Sequence, residues 1–167
     1  TTIHRWSGIK LGKESVYTIT SRIRNRKECL SRIINTNILV IDEISMFGLN
    51  TFNLLDNVLK EIRENDKPFG GIRMILIGDF LQLPPVNDEF VFKSEVWDLL
   101  NLKYFKFETP KRYNDVTHFE MLLRVRCGTL TKEDKSKINS RVKSYMEYIG
   151  NGMEKKDEIK PTRIFAL

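Results

Sequence analysis

The sequence predicts an α/β fold in which a parallel sheet is flanked by helices. Two apolar runs and the helical pattern between them predict it. Residues 37–42 (NILVID) and 73–79 (RMILIGD) are short and nearly unbroken in hydrophobicity, and each closes on acidic or glycine residues. That is the pattern of strands in a parallel sheet covered on both faces. Between them Leu55, Val58, Leu59 and Ile62 recur at helical spacing, with Asp56, Asn57, Lys60, Glu61 and Arg63 on the other face. Strand, amphipathic helix and strand in this order make a βαβ crossover, which sets the two strands parallel and brings their carboxyl ends to one sheet edge.

Ahead of the first strand, residues 10–36 carry Lys10, Lys13, Arg22, Arg24, Arg26, Lys27 and Arg32 against only Glu14 and Glu28. This local excess suits a phosphate backbone or, equally, a solvated helix face. After the second strand, a short helix around 94–100 is expected to bury Val96, Trp97 and Leu100, and the alternation in 104–108 (YFKFE) reads as a third strand. Phe119, Leu122, Leu123 and Arg126 start a helix that Gly128 ends, and Thr131 caps another that reaches about Tyr148. The polar stretch 150–160, closed by Pro161, reads as a linker before a new strand at 162–167.

Size and composition narrow the class. With 167 residues, 41% hydrophobic and 30% charged, the chain is one globular domain, or one and the start of another. A domain of this size buries roughly 70% of its unfolded surface and needs neither disulfides nor a metal to hold a core. Cys29 and Cys127 therefore read as free thiols in a reducing compartment, and they lack metal-ligand spacing. No apolar run approaches the roughly 20 residues of a membrane span, and residues 1–6 contain no apolar signal core, which excludes the membrane and secreted classes. The chain begins without Met and ends on the apolar 164–167, so a piece of a longer protein is expected.

The chemistry is expected at the strand ends. Asp42 and Glu43 stand at the carboxyl end of an apolar strand, the edge where open α/β sheets collect ligands. Asp42 is placed there to hold Mg²⁺, directly or through water, and Glu43 to take a proton from an attacking water. The same pattern arises where strand-end acids only solvate a turn. The second strand leads into Asp79 and Gln82 at the same edge. The amide of Gln82 both donates and accepts, so it can hold a phosphate oxygen and a water together; alternatively, Asp79 and Gln82 satisfy loop backbone groups.

Taken in order and spacing, residues 1–9 (TTIHRWSGI), 40–46 (VIDEISM) and 78–86 (GDFLQLPPV) resemble motifs of the petite-integration-frequency DNA helicases, in the RecD-like, 5′-to-3′ branch of helicase superfamily 1. Residues 111–115 (KRYND) followed by 123–128 (LRVRCG) resemble that family's fourth motif and the helix after it, and 161–163 (PTR) the entry to the second RecA-like domain. The resemblance implies a RecA-like P-loop NTPase core. Residues 1–149 would belong to the first domain, with 10–36 its basic wedge-like insertion, and 150–167 to a linker and the start of the second.

By the same resemblance, Asp42 and Glu43 bind Mg²⁺ and activate water, Gln82 senses the γ-phosphate of ATP, and Arg112 neutralises charge on the transferred phosphoryl group. Thr2, His4, Arg5, Trp6, Pro85 and Val86 lie along single-stranded DNA, and fork or duplex DNA is the further partner. A monomer is implied, located inside the cell: nucleus or mitochondrion in a eukaryote, host cell for a virus, cytoplasm otherwise.

The sequence departs from the family pattern at several points. Arg5 stands where the family usually has Ser and Trp6 where it has Phe, both changes that keep affinity for a polyanion with exposed bases. Tyr113 follows Arg112 where Gln is usual, which leaves Lys111 as the alternative to Arg112. No G-x-x-x-x-G-K-[ST] occurs in the 167 residues, and the resemblance places that phosphate loop, with the first strand, before Thr1. Two other readings compete. One is a catalytically inactive nucleic-acid-binding scaffold that retains the helicase core. The other is a metabolic P-loop kinase, which the combination of Gln82 with the basic, aromatic N-terminal stretch disfavours.

Overall fold

A computed structural model describes residues 1–10, 12–112 and 114–150, with side chains through Glu147. They form two compact units that part between Phe107 and Glu108.

The first unit holds α1 (Ile3–Ser7), α2 (Val16–Arg24), α3 (Lys27–Asn35), β1 (Ile38–Ile41), α4 (Leu49–Arg63), β2 (Arg73–Leu76) and α5 (Glu95–Leu99). β1 and β2 pair in parallel, Leu39 opposite Met74 and Val40 opposite Ile75, with α4 as the crossover expected between them. Both strands are shorter than the apolar runs that announced them. They are also covered on one face only. Leu39, Ile41 and Met74 are buried, whereas Ile38, Val40 and Ile75 are 49%, 54% and 44% exposed, so the expectation of two covered faces fails here.

α4 is the central helix, packed on α2 and α3. Its buried residues include Phe52, Leu55, Val58, Leu59 and Ile62, as the periodicity requires, and also Asp56, which the pattern had placed on the polar face. Asp56 is buried because it is needed inside. Its Oδ1 accepts the N–H of fully buried Phe69 at 2.6 Å, and its Oδ2 pairs with Lys60 at 2.6 Å. Phe69 and Gly70, in the turn returning to β2, have φ of 53° and 62°. A Cβ on Gly70 would lie 2.5 Å from the Leu59 carbonyl oxygen, so only glycine fits. Arg63, also assigned to the polar face, donates from Nε to Gly70 O at 2.8 Å and from Nη1 to Ile33 O, Ile34 O and Thr36 O at 2.7–3.1 Å. It thereby caps the end of α3 with positive charge.

The basic stretch 10–36 is α2 and α3, two helices built into the core through Ile19, Ile23, Cys29 and Ile33. α5 lies at the predicted place, with Ser94 as its cap and Trp97 buried. The strand expected at 104–108 is not formed. A strand requires a paired neighbour, and neither β1 nor β2 bonds to this segment, which leaves Phe105 and Phe107 82% and 95% exposed. Tyr104 is held instead by its hydroxyl, which accepts the Trp97 indole N–H at 3.1 Å.

The second unit holds α6 (Val116–Arg126) and α7 (Lys132–Gly150). Asp115 caps α6, and Gly128, at φ 68°, follows its end. Thr131 Oγ1 accepts the Asp134 N–H while Asp134 Oδ2 accepts the Thr131 N–H, a reciprocal cap for α7. Arg124 forks onto the same carboxylate at 2.7 and 2.8 Å. The Arg124 bonds, with help from Thr131, hold the Asp134 carboxyl far below the ordinary carboxylate range. The linker beyond Gly150 and the strand at 162–167 lie outside the described residues, as does Tyr113. Among the described residues no helix is long and apolar enough to cross a membrane.

Candidate active site

The two strand ends are locked together. β1 delivers Asp42 and Glu43, both exposed, into a turn closed by the Glu43 N–H donating to Asp42 Oδ1 at 2.9 Å. Glu43 sits in the left-handed region at φ 54°, a conformation that costs a non-glycine residue about 1–2 kcal/mol. Past the strands the ladder continues: Ile77 N–H donates to Ile41 O, and Ile44 N–H to Ile77 O, each at 2.9 Å. Gly78 then passes so close that a Cβ there would lie 2.9 Å from the Ile44 nitrogen. Glycine is thus what allows the loop after β2 to lie against the acidic turn.

That loop is held along its length. Asp79 accepts the Leu81 N–H and the Gln82 side-chain amide on its two carboxylate oxygens, at 3.0 and 3.4 Å, and the Gln82 N–H on its carbonyl at 2.9 Å. Asp79 therefore does satisfy the loop backbone, while Gln82 stays exposed at the edge that carries Asp42 and Glu43. Phe80 anchors the loop between Phe90, Phe92 and Trp97, with ring centroids 5.0–5.9 Å away. Ser45, directly after the acidic pair, has a buried hydroxyl with no hydrogen-bond partner among the described residues.

A cleft of about 510 Å³ opens at this edge, with Thr2 and Trp6 on one side and Val40, Asp42, Glu43 and Met46 on the other. Thr2 caps α1, its Oγ1 accepting the Arg5 N–H at 3.3 Å. His4 and Arg5 are exposed, and Trp6 is half-buried against the core. Basic side chains from α2 and α3 hold the end of α1. Arg32 donates to Trp6 O at 2.9 Å and Arg5 O at 3.3 Å, Arg22 to Gly8 O at 3.2 Å, and the buried Cys29 thiol faces Trp6 O and Ser7 O. Arg22 also pairs with Glu14, and Arg24 with Glu61. Three of the seven basic residues singled out in 10–36 thus serve protein oxygens, while Lys10, Lys13, Arg26 and Lys27 are exposed.

Of the remaining residues singled out, Val86 is 81% exposed but Pro85 is buried, which leaves Val86 as the one of the two whose side chain faces outward. Arg112 is exposed and belongs to the second unit. Among the described residues no three His, Cys, Asp or Glu side chains cluster as metal ligands. Sequence reasoning placed Arg32 in a basic surface and Arg63 on a polar helix face and missed the carbonyls they hold, because a basic residue that reaches a carbonyl far along the chain leaves no local pattern.

Comparison with known proteins decides the family. A profile described as PIF1-like helicase matches residues 1–159. The chain belongs to the PIF1-like helicase family. It is 34% identical over 172 residues to the ATP-dependent DNA helicase RRM3 of Saccharomyces cerevisiae, covering 99% of this chain and 23% of that protein. It is 44% identical over 103 residues to the ATP-dependent DNA helicase Pif1 of a Psychrobacter species, covering 58% of this chain and 16% of that protein. The crystal structure of Pif1 helicase from Candida albicans matches with a TM-score of 0.76 and 32% identity, over 81% of this chain and 32% of that one. The chain thus spans about a sixth to a quarter of the length of the curated relatives it matches, and its α/β core is the RecA-like fold of the family.

Proposed function

We propose that this chain supplies part of the nucleotide-hydrolysing and DNA-gripping core of an ATP-dependent DNA helicase that moves 5′-to-3′ on single strands and unwinds duplex at forks. One observation carries the proposal: Gly78 packs against Ile44, and so the Asp42–Glu43 turn and the Gln82 loop form one sheet edge. Support also comes from the RRM3 and Pif1 relatives, both of which are ATP-dependent DNA helicases.

Mg²⁺ suits this edge. Asp42 and Glu43 are exposed carboxylates, hard oxygen donors, and a Mg²⁺ ion is ordinarily held by one or two such groups together with substrate phosphates, not by a protein cage. Bound there, the ion would neutralise charge on the phosphates of ATP. Glu43 accepts the proton of the attacking water, and its turn, braced by Asp42 Oδ1 and by Ile44 on Ile77, fixes where that carboxylate stands. Gln82, restrained by Asp79, presents an amide that bridges water and a γ-phosphate oxygen. Arg112 brings a guanidinium that forks onto phosphate oxygens.

The DNA side is built from α1 and the arch after β2. His4 and Arg5 offer charge and hydrogen bonds to the strand, Trp6 and Val86 apolar surface to its bases, and Thr2 the cap that orients them. Residues 1–149 are part of a first RecA-like domain, 10–36 its basic wedge beside the fork, and 150–167 lead to a second. The working unit is a monomer inside the cell.

The test is phosphate release by the full-length protein with Mg²⁺, with and without single-stranded DNA. DNA-stimulated hydrolysis is expected. DNA binding without hydrolysis would overturn the enzyme in favour of an inactive scaffold.

A further inference from the structure

The loop after β2 is an arch with two feet, and both stand on the segment that leaves the acidic pair. The first foot is Gly78 on Ile44. The second is Asp88 on the start of α4. The N-cap of α4 is Gly48, which has no side chain to cap the helix. The missing cap comes from across the chain: Asp88 Oδ2 accepts the Asn50 N–H at 3.1 Å, and Oδ1 accepts the Asn50 side-chain amide at 2.9 Å. Oδ1 also takes the Glu89 N–H at 2.8 Å, and Glu89 O accepts the Leu49 N–H at 2.9 Å.

The two positions exclude ordinary alternatives. A Cβ at residue 48 would lie 2.1 Å from Asp88 Oδ2, so the carboxylate occupies the space a conventional capping side chain would need. Asn87, at φ 52°, turns the chain into Asp88, in a conformation Asn tolerates better than most residues. Between the two feet, Leu81, Leu83 and Val86 are 58%, 68% and 81% exposed.

We propose that Asp88 is a positioning residue: it ties the outer end of the Gln82–Val86 arch to the helix that follows Asp42–Glu43, so that a strand pressing on the arch and the hydrolytic edge move as one body. The role rests on the helicase function proposed above. Asp88 does not line the cleft at Asp42–Glu43 and acts through the arch.

A capping role and a tethering role separate by relocating the cap. In the full-length protein, Asp88→Gly removes both. Combining it with Gly48→Asp returns a capping carboxylate to α4 from its own N-cap but leaves the outer foot of the arch with only its backbone pairing, Leu49 N–H on Glu89 O. Glycine is used at 88 in this pair because the Asp88 Cβ would itself lie 2.8 Å from the new one. Asp88→Ala checks that added backbone freedom is not the cause. Asp88→Asn keeps a carbonyl for the Asn50 N–H and lets the Asn50 amide turn to accept from the new NH₂, but it gives up the acceptor of the Glu89 N–H and should fall between wild type and Asp88→Ala.

The double variant is expected to recover the thermal stability that Asp88→Gly loses. Its DNA-stimulated turnover should stay about 10- to 100-fold low with little change in KM for ATP, the scale of a displaced catalytic group. Hydrogen exchange should show the Leu81 and Gln82 amides, which bond to Asp79, deprotected in it and in Asp88→Ala, with amides 50–52 protected again in the double variant. Wild-type turnover and wild-type exchange in the double variant would reduce Asp88 to a helix cap and overturn the proposal. Wild-type protein that hydrolyses no ATP would instead overturn the helicase function, while the exchange of the Leu81 and Gln82 amides still decides the tether.

Discussion

Replacing Asp56 with alanine removes the acceptor of the Phe69 N–H and the partner of Lys60 together. Phe69 is fully buried and Asp56 is 1% exposed, so no water replaces the lost oxygen. A hydrogen bond to a charged acceptor is worth about 1.5–3 kcal/mol, and an orphaned buried donor costs about 1–3 kcal/mol on the same scale. Lys60 keeps a quarter of its side chain in solvent and contributes little more than an ordinary helical pair, about 0.3–0.5 kcal/mol. The loss for Asp56→Ala is therefore about 2–3 kcal/mol. With a urea slope of about 1–3 kcal/mol/M it moves the unfolding midpoint down by about 0.7–3 M. Asp56→Asn keeps an oxygen for Phe69 and should lose less than half as much. The assay is urea unfolding of the 167-residue chain in a Trp6→Phe background, followed by the fluorescence of Trp97, which packs on Phe52 and Phe80 within the same core. An Asp56→Ala midpoint indistinguishable from wild type would refute the claim that this carboxylate holds the return of the crossover to β2.

Two further outcomes follow from the same contacts. Arg32→Ala frees the Trp6 and Arg5 carbonyls and should weaken binding of single-stranded DNA by the full-length protein without changing the slope of affinity against salt, because Arg32 is engaged by protein oxygens; a slope reduced by about 1 would instead make it a phosphate contact. Asp134 is held ionised in the folded chain but titrates near about 3.9 when unfolded. Its support of the α6–α7 corner is therefore complete above about pH 4 and lost as pH falls further. Helicity measured from pH 5 to pH 2 should fall more steeply in wild type than in Asp134→Asn, and parallel curves would contradict this.

The crossover was legible because its signals are local: two apolar runs and a helical period between them fix parallel strands, and parallel strands bring Asp42, Glu43 and Gln82 to one edge. Helix ends at Thr131 and Gly128 were legible for the same reason. What escaped depends on contacts distant in sequence. Asp56 and Arg63 look like solvent-facing residues of an amphipathic helix until the turn at Phe69–Gly70 and the end of α3 reach them. Arg22, Arg24 and Arg32 look like a DNA-binding patch until their carbonyl and carboxylate partners are seen. Residues 104–108 carry a strand pattern, but pattern alone does not supply the neighbour a strand needs. Asp88 left no local trace, since Gly48 is itself an ordinary N-cap residue.

In the proposed function the Asp42–Glu43 turn and the Gln82 loop form one hydrolytic edge. Glu43→Gln tests it most directly in the full-length protein, since the amide keeps the shape of the side chain but cannot accept the proton of an attacking water. Nucleotide binding and DNA-stimulated phosphate release are measured side by side. Retained binding with turnover reduced at least about 100-fold, the scale of general-base loss, is the predicted result. Turnover at the wild-type rate would contradict it and place the hydrolytic chemistry elsewhere.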